Sequence, residues 1–138
     1  MRCVPLKTDE QLELQALHRV RRRFIIERTA VVNQMRALLL ERGIGIPLGR
    51  ALFARRLPGI FEDAENGLSP RIVGLLHRLR QRWLTLDTEI EEVTRDLTAS
   101  AADSEWCRRA ATCPGIGPII STAVVAAVGN AHHVWASP

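Results

Sequence analysis

The segment from Cys113 to Pro118 reads Cys-Pro-Gly-Ile-Gly-Pro, and its residue types could hold a ligand. Two glycines around one apolar residue favour a tight turn between helices, with backbone amides exposed. A helix is predicted to start directly after the turn, so its free N–H groups and its dipole would point outward. This pattern predicts a phosphate site at Gly115, Ile116 and Gly117. A β-branched residue at position 117 should weaken binding if Gly117 adopts a positive φ or lets the backbone approach closely.

The Gly115–Gly117 turn resembles the helix-hairpin-helix element of DNA-repair and recombination proteins, which holds a nucleic-acid backbone without reading its sequence. Arg108 and Arg109 precede the turn and could add positive charge beside it. A plain turn between two helices, with Ile116 in the core, would use the same residue types. The pattern leaves both interpretations open.

A second basic cluster occupies positions 18–23, where the sequence reads His-Arg-Val-Arg-Arg-Arg. On a helix these side chains spread over about a full turn, so they cannot all face one phosphate strand. Arg22 and Arg23 are the candidates for nucleic-acid contact in this cluster. The alternative is that the cluster pairs with acidic side chains between Asp87 and Asp96.

A complete catalytic set cannot be found in this sequence. Acidic residues lie at predicted helix ends or on solvated faces, and nothing marks a pair of them as a metal site. Ser121 has no evident base and is interpreted as a first-turn serine. A zinc set would have to combine Cys107 and Cys113 with His132 and His133, a spacing that matches no common zinc finger. We therefore predict no catalytic residue, no metal site and no cofactor in this chain.

Two long predicted helices must position these clusters. The first covers residues 8–42, begins at Thr8 or Asp9 and ends at Gly43, and its apolar residues recur every seven positions. The second begins after Ser69 and ends near Ala101. Its apolar positions alternate in steps of four and three, as in a coiled coil. They are Ile72, Leu76, Leu79, Trp83, Leu86, Ile90, Val93 and Leu97.

We predict an all-α fold, in which residues 1–102 form a long antiparallel coiled-coil hairpin with a connector at 44–69. The connector would contain a short helix from Leu48 to Arg56 that stops before Pro58 and Gly59. Antiparallel pairing would place the basic segment 19–28 beside the acidic segment 87–96. The second helix could also pair with its copy in a dimer. Residues 103–138 would add a small element with the helix-hairpin-helix-like turn.

Composition limits the classes of partner and of fold. The net charge is +4, and 18 of the 19 basic residues are Arg, which binds phosphate bidentately. Biased codon usage and ordinary solvated helix faces would give the same excess. Aromatic residues make up only 4 %, which argues against a strand-rich fold. No apolar run is long enough for a membrane span, and three unpatterned cysteines suit a reducing bacterial cytoplasm.

Two separated segments resemble transposases of the insertion-sequence 110/116/902 family. The segment CPGIGPIISTAVVAAVGN resembles the start of that family's C-terminal transposase domain. The opening MRCVPLKTDEQ resembles the segment that joins the family's nuclease-like domain to its coiled coil. In the first predicted helix, the residues that fall as they do in the family are Arg28, Asn33, Gln34, Arg36, Leu39 and Gly43.

The resemblance implies an RNase H-type domain with metal-binding acids, then a coiled coil, then a small domain with a nucleophilic Ser. It also implies dimers or tetramers, a structured guide RNA, and DNA recombination with Mg²⁺. The acids would lie before residue 1 and the Ser after residue 138. The tail from His132 to Pro138 departs from the family's continuation, and Ser137 does not match the context of the nucleophile.

The chain is therefore interpreted as an internal transposase fragment that binds DNA or guide RNA and forms homo-oligomers, and that is inactive alone. The sequence leaves two alternatives open. One is a structural coiled-coil dimerisation module without a nucleic-acid role. The other is a free-standing helix-hairpin-helix DNA-binding protein.

Overall fold

A computed structural model describes residues 7–128, which form five helices and no strand. The predicted all-α class is therefore confirmed. The helices are α1 (Asp9–Leu40), α2 (Arg50–Glu62), α3 (Pro70–Asp103), α4 (Glu105–Ala110) and α5 (Pro118–Val128). The residues group into two compact units. The central unit is Ile25–Thr88, and the terminal unit combines the residues up to Phe24 with those from Glu89 onward.

Both ends of α1 are fixed by local hydrogen bonds. Thr8 and Gln11 form a reciprocal capping box, in which each backbone N–H donates to the other's side chain at 3.0 and 3.3 Å. At the other end Gly43 has a φ of 79°. The N–H groups of Gly43 and Ile44 donate to the carbonyls of Leu40 and Leu39, at 2.9 and 3.0 Å. This is a Schellman cap, and it confirms that α1 stops at the glycine.

Helix α3 begins as predicted, with Pro70 at its first position and the Ser69 hydroxyl accepting from the backbone N–H of Ile72 at 3.4 Å. All eight seam positions are buried or half-buried. Trp83 is buried against Phe53 of α2, with ring centroids 5.9 Å apart, so its predicted burial is confirmed. The seam is thus covered within the chain.

The core of the central unit joins three helices and the loop before α2. Its buried members are Val32, Met35, Leu39, Ile46, Phe53, Leu57, Leu76 and Trp83. Two ion pairs connect α1 to α3 beside this core: Arg28 with Asp87 at 2.7 Å and Arg82 with Glu27 at 2.5 Å. The coiled-coil hairpin as a whole stays a prediction.

The connector helix is longer than the sequence predicts. We expected Pro58 and Gly59 to end it, but α2 continues to Glu62 with Pro58 inside, so that prediction is wrong. Proline removes one helical hydrogen bond. The helix tolerates this loss because Leu57 is buried, and Ile60 and Phe61 pack against the core one turn later. Packing of the following turn therefore overrides the local preference.

A smaller apolar cluster lies in the terminal unit, where Leu14, Leu97 and Ala126 are buried together. It joins the first half of α1 to the end of α3 and to α5. The Nε of Arg21 also donates to the Thr94 hydroxyl at 2.8 Å. Long-range contacts therefore hold α5 in this unit, which contains the predicted turn.

Candidate nucleic-acid interface

The predicted turn connects α4 to α5 and contains a hydrogen-bonded β-turn. The backbone N–H of Ile116 donates to the Cys113 carbonyl at 3.1 Å. Pro114 and Gly115 occupy the two central positions, and Gly115 has a φ of 87°. This is the pattern of a type II turn, which requires a residue that adopts a positive φ at its third position.

Gly117 does not adopt a positive φ, so the first of the two conditions considered for this glycine is not met. The type II turn needs the left-handed conformation at Gly115, and the chain is back in an ordinary conformation two residues later. A Cβ added at Gly117 would meet nothing within 4 Å. A side chain at position 117 is therefore compatible with the fold and would occupy open space at the start of α5.

The N-terminus of α5 is open. Its first backbone hydrogen bond runs from Ser121 N–H to the Gly117 carbonyl at 2.9 Å, and Pro118 has no N–H. The N–H groups of Gly117, Ile119 and Ile120 donate to no residue between 7 and 128. The first turn of α5 also carries no acidic side chain. The positive end of the helix dipole is therefore available to an anion.

The serine of this turn is bound within the helix. The Ser121 hydroxyl is buried and donates to the Pro118 carbonyl at 3.0 Å. Ser121 thus lies in the first turn of α5, where the sequence interpretation placed it. Its hydroxyl proton is therefore engaged by a backbone carbonyl.

Arg108 and Arg109 are exposed in the last turn of α4. The guanidinium of Arg109 lies over the ring of Trp106, 5.1 Å from its centroid. Neither arginine forms an ion pair with a residue in the described part of the chain. A guanidinium stacked on an aromatic ring keeps its in-plane N–H donors free to bind a phosphate.

Helix α1 lies along α5 in the terminal unit. The Lys7 ammonium donates to the Ala126 carbonyl, and the Gln11 amide donates to the Val125 carbonyl, both at 3.2 Å. The Nε2 of His18 lies 3.0 Å from the Thr122 hydroxyl. Residue numbers rise along α1 as they fall along α5, so the two helices are antiparallel. Sequence reasoning missed this contact, although Gln11 and His18, seven residues apart, share one helix face.

This pairing determines where the second basic cluster lies. Arg22 follows His18 by one helical turn on the same face of α1, toward the open N-terminus of α5. Arg22 and Arg23 are exposed, and neither forms an ion pair with a described residue. The alternative for the cluster was pairing with acids of the second long helix. Of the basic residues from 19 to 28, Arg28 makes such a pair, with Asp87.

Burial lowers the pKa of His18 below its usual value of 6.5, and the nearby charge of Arg21 lowers it further. The Thr122 hydroxyl donates its own proton to the Pro118 carbonyl at 2.8 Å, so it accepts from Nε2 of His18. The neutral imidazole therefore holds α1 against the first turns of α5.

Acidification should weaken the terminal unit through His18. Because the folded chain has the lower pKa, the unfolded chain binds more protons between the two pKa values. The free energy of unfolding should stay constant above about pH 6.5 and decrease as the pH falls below it. Urea titrations from pH 7.5 to 5 would measure this, with His18→Gln, which keeps a donor for Thr122, as the comparison. An equal pH dependence in the variant would contradict the assignment.

The described residues do not fit a metal site. Between residues 7 and 128 no three His, Cys, Asp or Glu side chains are grouped so that they could hold an ion. Cys107 is buried and Cys113 is exposed. Cys3, His132, His133 and Ser137 lie outside the described residues, as does Gly129-Asn130 after α5. No helix in the described part has the length and apolar character needed to cross a membrane.

Bacterial transposases are similar to this chain over nearly its whole length. The transposase for insertion sequence element IS1328 of Yersinia enterocolitica is 39% identical over 137 residues, which are 99% of this chain and 40% of that protein. The transposase for insertion sequence element IS1111A of Coxiella burnetii is 37% identical over 132 residues, 96% of this chain and 36% of that protein. A probable family 20 transposase of Pseudomonas aeruginosa is 36% identical over 132 residues, 95% of this chain and 39% of that protein.

The chain spans about two fifths of the length of these curated relatives. No family model matches it. No solved structure matches it either. Its homologues are thus named insertion-sequence transposases, and the similarity covers both the turn between α4 and α5 and the basic part of α1.

Proposed function

We propose that this chain acts in DNA transposition as the part of an insertion-sequence transposase that binds nucleic acid and assembles with further copies. The names of its homologues support the transposition role. The resemblance of its two motifs to the 110/116/902 family supports a more specific placement, with DNA or a structured guide RNA as the partner. The magnesium-dependent chemistry of that family would need acidic residues that the described part does not supply.

The binding proposal rests on one observation. The N-terminus of α5 has backbone N–H groups without partners among the described residues, and exposed arginines of α4 and α1 flank it. The Gly115–Gly117 turn leaves three N–H groups without partners among the described residues. Arg108 and Arg109 precede the turn, and Arg22 lies one helical turn beyond the His18 contact. Backbone amides and guanidinium groups at a helix start bind phosphate.

This chemistry would recognise the backbone of a nucleic acid rather than its base sequence. Amides and arginines at phosphates respond to charge and shape, and they carry no direct information about base edges. Binding should therefore be weak and independent of sequence. It should also weaken as salt rises, by a log–log slope of about −0.9 for each phosphate contacted in duplex DNA.

Replacing Gly117 by Val should lower the affinity for duplex DNA about tenfold while leaving the fold intact. The new side chain would occupy the open space where a phosphate approaches, and blocking one charge-assisted contact costs roughly this factor. Fluorescence polarisation of a labelled 20-base-pair duplex would measure it over a salt series, with helicity followed by circular dichroism. Gly45→Val is the matched control, because Gly45 is also a loop glycine without a positive φ or a neighbour within 4 Å.

The same assay separates the two basic clusters. Arg22→Ala with Arg23→Ala removes two charges from α1, and Arg55→Ala with Arg56→Ala removes the same charge from exposed positions of α2. Loss of binding in the first pair alone would include α1 in the interface. If the Arg22→Ala, Arg23→Ala variant loses binding while Gly117→Val binds fully, the binding site lies on α1 rather than at the turn.

A well-folded chain that binds neither duplex DNA nor structured RNA at low salt would overturn the binding proposal. The structural dimerisation module would then be the better interpretation. Assembly has its own support in exposed apolar side chains, since Ile120, Val124 and Val128 form a row on α5 and Leu75 is exposed on α3. The α3 seam is buried within the chain, so contacts between copies would use these outer faces.

A further inference from the structure

The central unit contains a basic cleft that shares no residue with the turn between α4 and α5. Arg28, Asn33 and Arg36 of α1 form one side, and Gly49 and Arg50 at the start of α2 form the other. Its volume is about 330 Å³. A water takes about 30 Å³ in the liquid, so the cleft has room for a phosphate group and several waters.

Three guanidinium groups meet in this cleft, and most of their donors are unused. Each arginine has five N–H donors. The hydrogen bonds within the described residues use only Nη1 of each: Arg28 and Arg50 donate to Asp87 at 2.7 and 3.2 Å, and Arg36 donates to the Asn33 side chain at 3.1 Å. Three positive charges against the one carboxylate leave an excess of two.

Arg36 supplies the most specific indication of a ligand. Its guanidinium carbon lies 5.3 Å from the centroid of the Phe53 ring, which holds the group in place. Its Nε is buried and has no hydrogen-bond partner among residues 7–128. A buried charged donor without an acceptor is costly, and such groups are normally satisfied. An oxyanion in the cleft would accept from the unused Nη donors of the same guanidinium and so offset this cost.

The start of α2 adds further positive potential to the same place. Gly49 precedes the helix with no side-chain cap, and the first backbone bond runs from Phe53 N–H to the Gly49 carbonyl at 3.1 Å. The first turn of this 13-residue helix has no acidic residue. Its first N–H groups and its dipole therefore favour an anion beside the three arginines.

We propose that this cleft is a second phosphate site, which holds one phosphate of a nucleic-acid backbone between α1 and α2. The identity of the ligand as a nucleic acid rests on the proposed function, whereas the anion site rests on the cleft alone. Asp87 orients two of the guanidinium groups without neutralising the set. A planar guanidinium fork matches phosphate oxygens bidentately, which an ammonium cannot do.

Inorganic phosphate tests the cleft without any nucleic acid. In NMR titrations of the full chain at constant ionic strength, the Nε–Hε signal of Arg36 should shift and saturate. Arg50→Gln should weaken this phosphate binding about tenfold, because a charged donor set is lost. Its side chain is 55% exposed, so the fold should survive. Arg56→Gln removes the same charge from an exposed position of the same helix and should change the affinity less than twofold.

Fluorescence polarisation then tests which kind of nucleic acid supplies the phosphate. The two labelled probes are a single-stranded oligothymidine and a 20-base-pair duplex. Arg50→Gln should weaken binding of one of them and reduce the salt slope, by about 0.7 for the single strand or 0.9 for the duplex, with Arg56→Gln unchanged. The proposal that the cleft is a phosphate site would be wrong if phosphate shifted the signals of all arginines equally, or if the two variants had equal effects.

The two proposals fail in distinguishable ways. If Gly117→Val weakens nucleic-acid binding while Arg50→Gln does not, the turn remains an interface and the cleft is wrong as a nucleic-acid site. The chain could instead bind no nucleic acid while phosphate specifically shifts the Arg36 signal. The anion site would then be supported, and both its assignment to a nucleic acid and the proposed function would be wrong.

Discussion

Replacing Leu86 by Asp should abolish the cooperative unfolding transition of this protein. Leu86 is 0% exposed on α3, at one of the seam positions that the sequence identifies. The substitution loses the burial of a leucine, which alone costs about 2–5 kcal/mol, and adds a carboxylate without a partner. A domain of this size is stabilised by about 5–15 kcal/mol, so the combined loss is comparable with the whole.

Leu84→Asp is the matched control for this substitution. Leu84 lies two residues earlier on the same helix and is 44% exposed, so its replacement introduces the same charge at the surface. Urea titrations followed by far-ultraviolet circular dichroism would compare both variants with the parent chain. A folded Leu86→Asp variant within about 1 kcal/mol of the Leu84→Asp control would refute the buried seam.

Phe53→Ala should have the second largest effect, with a loss of about 3–5 kcal/mol in the free energy of unfolding. Phe53 is 0% exposed and belongs to α2, outside both long helices. Its ring contacts the indole of Trp83 and lies beneath the guanidinium of Arg36. Truncation would leave a cavity in the core of the central unit and release Arg36 from the position that the cleft requires.

Leu48→Ala controls for this change, because Leu48 is 85% exposed just before α2. It should alter the free energy of unfolding by less than about 0.5 kcal/mol. Urea midpoints with unchanged slopes would show that the native and unfolded states remain comparable. A loss below about 1 kcal/mol in Phe53→Ala would mean that α2 contributes little to the core.

The sequence predicts the long helices well because their evidence is local. Heptad spacing defines the seam of α3, and Thr8, Gly43 and Ser69 mark helix ends through hydrogen bonds to residues three to five positions away. The continuation of α2 past Pro58 could not be predicted in this way. It depends on burial of Leu57 in a core whose other members are distant in sequence.

The candidate sites also differ in whether a local sequence pattern or a distant contact determines them. The turn around Gly115 was visible because proline and glycine restrict neighbouring residues, although the positive φ falls at Gly115 rather than Gly117. The contact of His18 with Thr122 spans 104 positions, and no local pattern specifies it. The basic cleft likewise exists only because α2 packs beside α1, which brings Arg50 to Arg28 and Arg36.

The terminal unit is built from both ends of the described chain, so it can fold only after the central unit has been synthesised. Residues of the central unit leave the ribosome as one continuous stretch, so its core can close early and at low loop-closure cost. Leu14 must wait for Leu97 and Ala126, which are made more than 80 residues later. Until α5 has been translated, Leu14 lacks one of its two buried partners, and a nascent chain stalled before Pro118 should be a target for chaperones.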